Sequence, residues 1–274
     1  MPTKTIHGNN LYYEVHGNPD AEKTIAFLNG ISSSAASWAG IWPVFEDLGY
    51  KIIVHDFKGQ MLSDKPEGPY TMDEIVDDAH ELFHQLGVNK IHLAGLSFGG
   101  RAAMKYALKY PEDVETLMLM DTLSETDAKF DSYGPLFDLL CKTGQAGNLL
   151  AGMLHDIYGN DYLEKHKDEL AERARILAGN PAGYLDGQLI LNHTFGSDPA
   201  CTSELKKIEA PVMIIVGEED FLAPRKFSDI MARELPDAEY VVLPGSGHCS
   251  TLEKPETIKT LLSGFTEKHS RKKS

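Results

Sequence analysis

Residues 95–99 read Gly-Leu-Ser-Phe-Gly; an apolar run at 90–94 leads into them and an alanine-rich stretch at 100–110 leads out. A serine on a tight turn between a strand and a helix is lifted clear of the sheet, and flanking glycines let the two elements approach without side-chain clashes. Ser97 is therefore a candidate nucleophile. A serine hydroxyl attacks poorly at neutral pH unless a base lies within hydrogen-bond reach, itself oriented by a carboxylate. Two later strand-like runs supply such groups on loops. The run 211–216 ends in Gly-Glu-Glu-Asp-Phe-Leu-Ala-Pro, which puts Asp220 just past a strand's carboxyl end. The run 239–243 ends in Pro-Gly-Ser-Gly-His, which does the same for His248. Glu218, Glu219 and Asp121 are alternative acids, Asp121 because it also closes a strand. The bland role for Asp220 is a cap on the helix that follows. Cys249 reads as a small packing residue.

A different chemistry is spelled by His80-Glu81-Leu82-Phe83-His84, which fits the H-E-x-x-H zinc-protease pattern. On a helical wheel the apolar stripe is Ile75, Val76, Ala79, Leu82, Phe83 and Leu86, so both histidines fall on the polar flank. Lys90 stands where the metzincin continuation needs a third histidine. No metal site is expected.

These residues must be positioned by a sheet. Segments 5–7 and 11–15 alternate around a turn at 8–10, which predicts an opening β-hairpin. Apolar strands at 24–28, 51–55, 90–94 and 114–120 then alternate with helical stretches, one of them near 73–86. This is the rhythm of a mostly parallel, twisted sheet flanked by helices, an α/β fold. The alternation stops at Asp121 and resumes at 211. The division expected is a core of residues 1–122 and 206–274, with 123–205 inserted as a helical cap over the sheet's carboxyl edge.

Composition narrows the partners. With 26 basic and 41 acidic residues the net charge is −15, which repels nucleic acid and anionic membrane surfaces. The basic stretch 268–273 is an exception, read as a solvated, frayed tail. Three cysteines, Cys141, Cys201 and Cys249, lack C-x-x-C spacing and imply a reducing compartment without a disulfide framework. The opening Met-Pro-Thr-Lys-Thr-Ile has no apolar signal core, and no apolar run is long enough to span a membrane. A cytoplasmic location is the default expectation. Oligomeric state is not legible.

The ordered motifs resemble those of the α/β-hydrolase superfamily, in particular its small capped serine esterases and enol-lactonase-like hydrolases. They are Leu28-Asn29-Gly30, then Trp38, then the segment from Asp56 through Gly59 to Ser63, the Ser97 turn, the Asp220 loop with Pro224, and Gly247-His248. The chain order Ser, Asp, His is that of this fold. Three positions depart from the family pattern: Asn29 where histidine is usual, Lys58 where arginine is usual and Met61 where glycine is usual. The resemblance implies a catalytic triad of Ser97, Asp220 and His248, and an oxyanion hole made by the backbone N–H groups of Ile31 and Phe98. It implies acyl transfer to Ser97 and release by water, with neither metal nor cofactor. Pocket candidates are Asn29, Trp38, Phe137, Tyr158, Tyr184, Phe195 and Phe221. The function implied is hydrolysis of small or medium carboxylic esters or lactones. Thioester or carbon–carbon bond hydrolysis, or a slow-turnover ligand-binding signalling role that keeps the triad, are the alternatives. Fold alone does not separate these.

Overall fold

A computed structural model describes residues 2–270 of the chain. It opens with β1 (Thr3–Ile6) and β2 (Asn9–Gly17), antiparallel partners joined by His7 and Gly8 at φ of 44° and 87°. Two consecutive positive φ values make the primed turn whose twist suits a hairpin. The turn is tighter than the three residues expected, because Asn9 and Asn10 pair with Ile6 and Thr5.

Then come β3 (Thr24–Leu28), β4 (Lys51–His55), β5 (Ile91–Leu96), β6 (Val114–Met120), β7 (Val212–Gly217) and β8 (Ala238–Leu243). The eight strands lie in the order β1-β2-β4-β3-β5-β6-β7-β8; β1 and β2 run antiparallel to their neighbours and the rest are parallel. Strands β3, β4, β5 and β7 are buried along their full length, which is why they read as continuous apolar runs rather than alternating ones.

Helices cover both faces. Successive strand residues point to opposite sides, so Ile25, Phe27, Met118 and Ile215 share one core, and Ala26, Leu28, Leu117 and Ile214 the other. α1 (Pro43–Asp47) packs on the first face. α2 (Met72–Gln85) and α3 (Phe98–Lys109) pack on the second. Thr71 and Glu74 start α2 with a reciprocal capping box: the Glu74 N–H donates to Thr71 Oγ1 at 3.2 Å and the Thr71 N–H to Glu74 Oε2 at 2.8 Å.

Between β6 and β7 lie α4 (Ala128–Asp131), α5 (Tyr133–Lys142), α6 (Ala146–Ile157), α7 (Asn160–Lys165), α8 (Lys167–Ile176) and α9 (Tyr184–Ser197), with no strand among the described residues. Phe137, Cys141, Leu149 and Met153 give this segment its own small apolar cluster, against which Ile31 and Leu222 of the sheet loops pack. Its two ends are clipped by one buried side chain on α3. Arg101 donates to the Leu123 carbonyl at 3.1 Å and to Asp198 Oδ2 at 2.8 Å. A 3-10 turn at Thr202–Lys207 then packs on α3 and on α10 (Arg225–Glu234).

The chain closes with α11 (Ser250–Glu253) and α12 (Pro255–Ser270). The basic end does not begin as a frayed tail. Lys268 reaches Glu239 at 2.6 Å and Ser270 Oγ lies 2.9 Å from His92 Nε2, so residues 268–270 are held on α12; residues 271–274 lie outside the described residues. No helix among the described residues is long and apolar enough to cross a membrane.

Candidate active site

Ser97 sits where β5 turns into α3, at φ 54° and ψ −115°. This is a strained conformation for a residue with a side chain, held here by the surrounding structure. Its N–H donates to the Met120 carbonyl at 2.9 Å, and its carbonyl accepts from Thr122 Oγ1 at 2.7 Å. The turn requires both neighbouring glycines. A Cβ at Gly95 would collide with the Gly99 carbonyl, and one at Gly99 with the Leu28 carbonyl.

His248 and Asp220 come from the loops after β8 and β7 and are nearly buried, 7% and 3% exposed. Asp220 Oδ2 lies 2.9 Å from His248 Nδ1, while Asp220 Oδ1 accepts the Ala223 N–H at 2.7 Å. Asp220 thus serves its own loop and the histidine at once, and the cap of α10 falls to Pro224 instead. Burial pulls the His248 imidazole pKa down, but the charge and hydrogen bond of Asp220, with Asp121 and Glu253 beyond it, outweigh burial and leave it raised. With Nδ1 turned to a carboxylate, Nε2 is left as the basic nitrogen. No hydrogen bond joins Ser97 Oγ to His248 among the described residues; in unliganded sites such bonds are often long and tighten on binding.

The alternative acids have other partners. Glu218 accepts the Gly245 N–H at 3.1 Å, and Glu219 the Asn160 N–H at 2.7 Å. Asp121, at φ 46°, is fully buried and accepts the N–H groups of Gly217 at 3.0 Å and Ser250 at 3.2 Å. Burial, with Asp220 nearby, pushes its carboxyl up to about 8. It ties β7 to α11 behind the histidine and makes no bond to it.

Sequence reasoning missed two residues. Glu253 accepts the N–H groups of Gly247 at 3.0 Å and Cys249 at 3.3 Å, one on each side of His248, and that of Gly159 at 3.0 Å. Gln60 is fully buried beneath the loop after β3. Its Nε2 donates to the carbonyls of Gly30 at 2.8 Å and Ile31 at 3.1 Å, and its Oε1 accepts from Phe57 N and Asn29 Nδ2. Those carbonyls are thereby held toward the protein interior. Neither the Ile31 N–H nor the Phe98 N–H, the latter in the unsatisfied first turn of α3, donates a hydrogen bond among the described residues.

Two cavities meet at Ser97, of ≈ 160 Å³ and ≈ 390 Å³, sharing Ile31, Ser97, Phe137, Met153, Leu222 and His248 as walls. Tyr158 and Tyr184 line the smaller, Phe195 the larger and Phe137 both. The other three pocket candidates lie elsewhere. Asn29 is fully buried under the loop, donating to the His55 carbonyl at 2.6 Å and accepting Trp38 Nε1 at 2.7 Å. Trp38 is in turn core, packed on Phe27. Phe221 is 47% exposed and stacks on His155, leaving its neighbour Leu222 to turn inward.

A family model described as alpha/beta hydrolase fold matches residues 23–255. The chain belongs to the α/β hydrolase fold family. Its relatives include a candidate carbamate hydrolase, RutD, of Caulobacter segnis, 28% identical over 97% of this chain and 99% of that one. Among solved structures it is similar to MGS-M2, an α/β hydrolase enzyme from a Medee basin deep-sea metagenome library. That match has a TM-score of 0.92 at 26% identity, covering 100% of this chain and 98% of the other. The enol-lactonase of Burkholderia xenovorans LB400 shares the fold, with TM-score 0.86 at 21% identity over 97% of this chain and 100% of that one.

As an α/β hydrolase the chain departs from the usual pattern at Asn29, and Trp38 Nε1 and the His55 carbonyl show why asparagine suits this site: one group must accept while the other donates, in a space closed to solvent. Lys58, at the second departure, is buried against Asp78 at 3.2 Å. The H-E-x-x-H pattern has no metal geometry in this α/β hydrolase. His80 stacks on Tyr110 and reaches Asp113 at 3.1 Å, Glu81 accepts from Gln85, and no group of three possible ligands occurs among the described residues. Cys249 lines the smaller cavity, and burial pushes its thiol pKa up, away from the reactive thiolate.

Proposed function

We propose that the protein is a serine hydrolase of small or medium carboxylic esters that works through an acyl-enzyme on Ser97. The observation that carries this reading is the Asp220–His248 bond on a wall shared with Ser97, where two largely apolar cavities meet. Two arms converging on one serine suit a substrate with groups on both sides of a carbonyl.

In the proposed reaction His248 Nε2 takes the Ser97 proton as Oγ attacks the carbonyl carbon, and Asp220 holds the tautomer and stabilises the imidazolium. The Ile31 and Phe98 N–H groups receive the oxyanion; each such donor lowers the barrier by on the order of 3 kcal/mol. The imidazolium protonates the leaving alcohol, and water, deprotonated by the same histidine, releases the acid.

The test is kcat/KM on 4-nitrophenyl esters from acetate to octanoate, measured on wild type and Ser97→Ala. A preference among the short and medium chains, abolished in the variant, is expected; equal rates in both proteins would overturn the reading. A second reading, carbamate hydrolysis by the same steps, is favoured by the name of the Caulobacter relative. A 4-nitrophenyl carbamate in the same panel decides between them: turnover faster than that of every ester would favour it.

A further inference from the structure

The two cavities at Ser97 differ in charge. The smaller is walled by one cation, Arg173 of α8, and by no carboxylate, whereas Asp121 and Asp131 face the larger. Arg173 keeps an exposed side as well as lining the cavity, and it differs from Arg101, Arg175 and Arg225, each of which holds a carboxylate in this chain. Arg173 has no ion pair or side-chain hydrogen bond among the described residues. Its field nevertheless reaches the cavity walls: burial pushes the phenols of Tyr158 and Tyr184 up, and the Arg173 charge pulls against that shift. Ser32, Ser33 and Ser37 line the same cavity from the loop that carries Ile31. A planar guanidinium with free donors on the wall of a cavity that holds no carboxylate matches a carboxylate.

We propose that Arg173 is a specificity-determining residue of the smaller cavity and that the preferred substrate carries a carboxylate on the part entering it, as a dicarboxylic acid monoester does. The proposal rests on the reading of Ser97 as nucleophile, since it assigns one arm of the site that meets there. The larger cavity, walled by Phe98, Phe130 and Phe195 but also by two acids, takes the uncharged part. A substrate charged at both ends is disfavoured by Asp131.

The test uses two matched pairs of esters. Mono-4-nitrophenyl glutarate against 4-nitrophenyl pentanoate puts the charge on the acyl side, and 4-carboxyphenyl butyrate against phenyl butyrate puts it on the alcohol side. Wild type is expected to prefer the charged member of one pair by about fivefold in kcat/KM, as suits one partly solvated ion pair. Arg173→Gln removes that preference and Arg173→Lys keeps part of it, and the affected pair shows which side of the ester enters the arm. A charged-to-neutral ratio unchanged in Arg173→Gln for both pairs overturns the proposal. Glutarate binding to Ser97→Ala, followed by calorimetry, separates the two claims. If wild type turns over no ester yet Arg173→Gln abolishes glutarate binding, the nucleophile reading fails and the anion site stands. If Arg173→Gln binds glutarate as Ser97→Ala alone does, the anion site fails whatever Ser97 does.

Discussion

Asp220 divides its two oxygens between His248 and its own loop: Oδ2 lies 2.9 Å from Nδ1 of the imidazole, and Oδ1 holds the Ala223 N–H at 2.7 Å. The aspartate is therefore fixed before it orients the histidine, so the position of the base depends on a local turn as well as on the ion pair.

That relationship sets a pH dependence. Only neutral imidazole can accept the Ser97 proton, and the His248 pKa is raised from its ordinary value near 6.5. A raised value moves the loss of activity to higher pH, so kcat/KM should fall through an acid limb centred above pH 6.5. In Asp220→Asn burial loses its main opponent and only the weaker pull of Asp121 and Glu253 remains against it; kcat should drop by about 10³ to 10⁴ and the residual limb should shift to lower pH. Paired pH–rate profiles check both, and an unmoved limb in the variant would contradict the role given to Asp220.

Gln60 satisfies four groups under the loop after β3: the carbonyls of Gly30 and Ile31, Phe57 N and Asn29 Nδ2. Gln60→Leu fills the space and leaves Phe57 N and the Ile31 carbonyl unpaired, while Asn29 Nδ2 keeps the His55 carbonyl and the Gly30 carbonyl keeps the Ser33 N–H. It should lose about 3 kcal/mol in denaturant unfolding and should lower kcat more than it changes KM, because the Ile31 N–H loses its fixed direction. A variant as stable and active as wild type would show that the loop is held by something else.

The Ser97 turn tolerates no side chain at its flanks. Gly99→Ala drives a methyl group into the Leu28 backbone and should cost about 3 kcal/mol or more, or prevent folding. Gly40→Ala, exposed and with open space around its Cβ position, should stay within about 0.5 kcal/mol of wild type. Thermal and chemical unfolding of the two variants side by side makes the comparison.

His55 predicts acid sensitivity. It is fully buried between Phe57 and Phe83, neither ring nitrogen has a partner, and burial lowers its pKa from 6.5 to about 4. The unfolded chain binds the proton at higher pH than the native one, so stability is full above pH 6.5 and falls as pH drops toward 4. The loss from this group is about 3 kcal/mol. His55→Phe should lack this component. Urea midpoints from pH 7 to 4 in both proteins measure it, and parallel curves would rule out His55 as the source.

The sheet was legible because its parallel strands are buried on both faces and leave unbroken apolar runs such as 212–216. Ser97, Asp220 and His248 were legible because each follows such a run within a few residues, and a parallel sheet sends every such loop to one edge. Gln60 and Glu253 were not, since their roles depend on backbone groups distant in sequence, Gly30 and Ile31 for one and Gly159 for the other. The pocket was read by proximity in sequence, which misled at Asn29, Trp38 and Phe221: which way a loop side chain points is settled by packing, and only Leu222 of that last pair turns inward. The H-E-x-x-H pattern carries no metal reading even at the level of sequence, because both histidines fall on the polar flank of the helix and Lys90 stands where a third ligand is needed.

The central claim is that Ser97 is the nucleophile, and covalent labelling tests it most directly. A fluorophosphonate probe, followed by digestion and mass spectrometry, should place one adduct on the peptide carrying Ser97 in wild type and none in a folded Ser97→Ala protein. An adduct that persists in the variant, or that sits on another residue of wild type, would contradict the account.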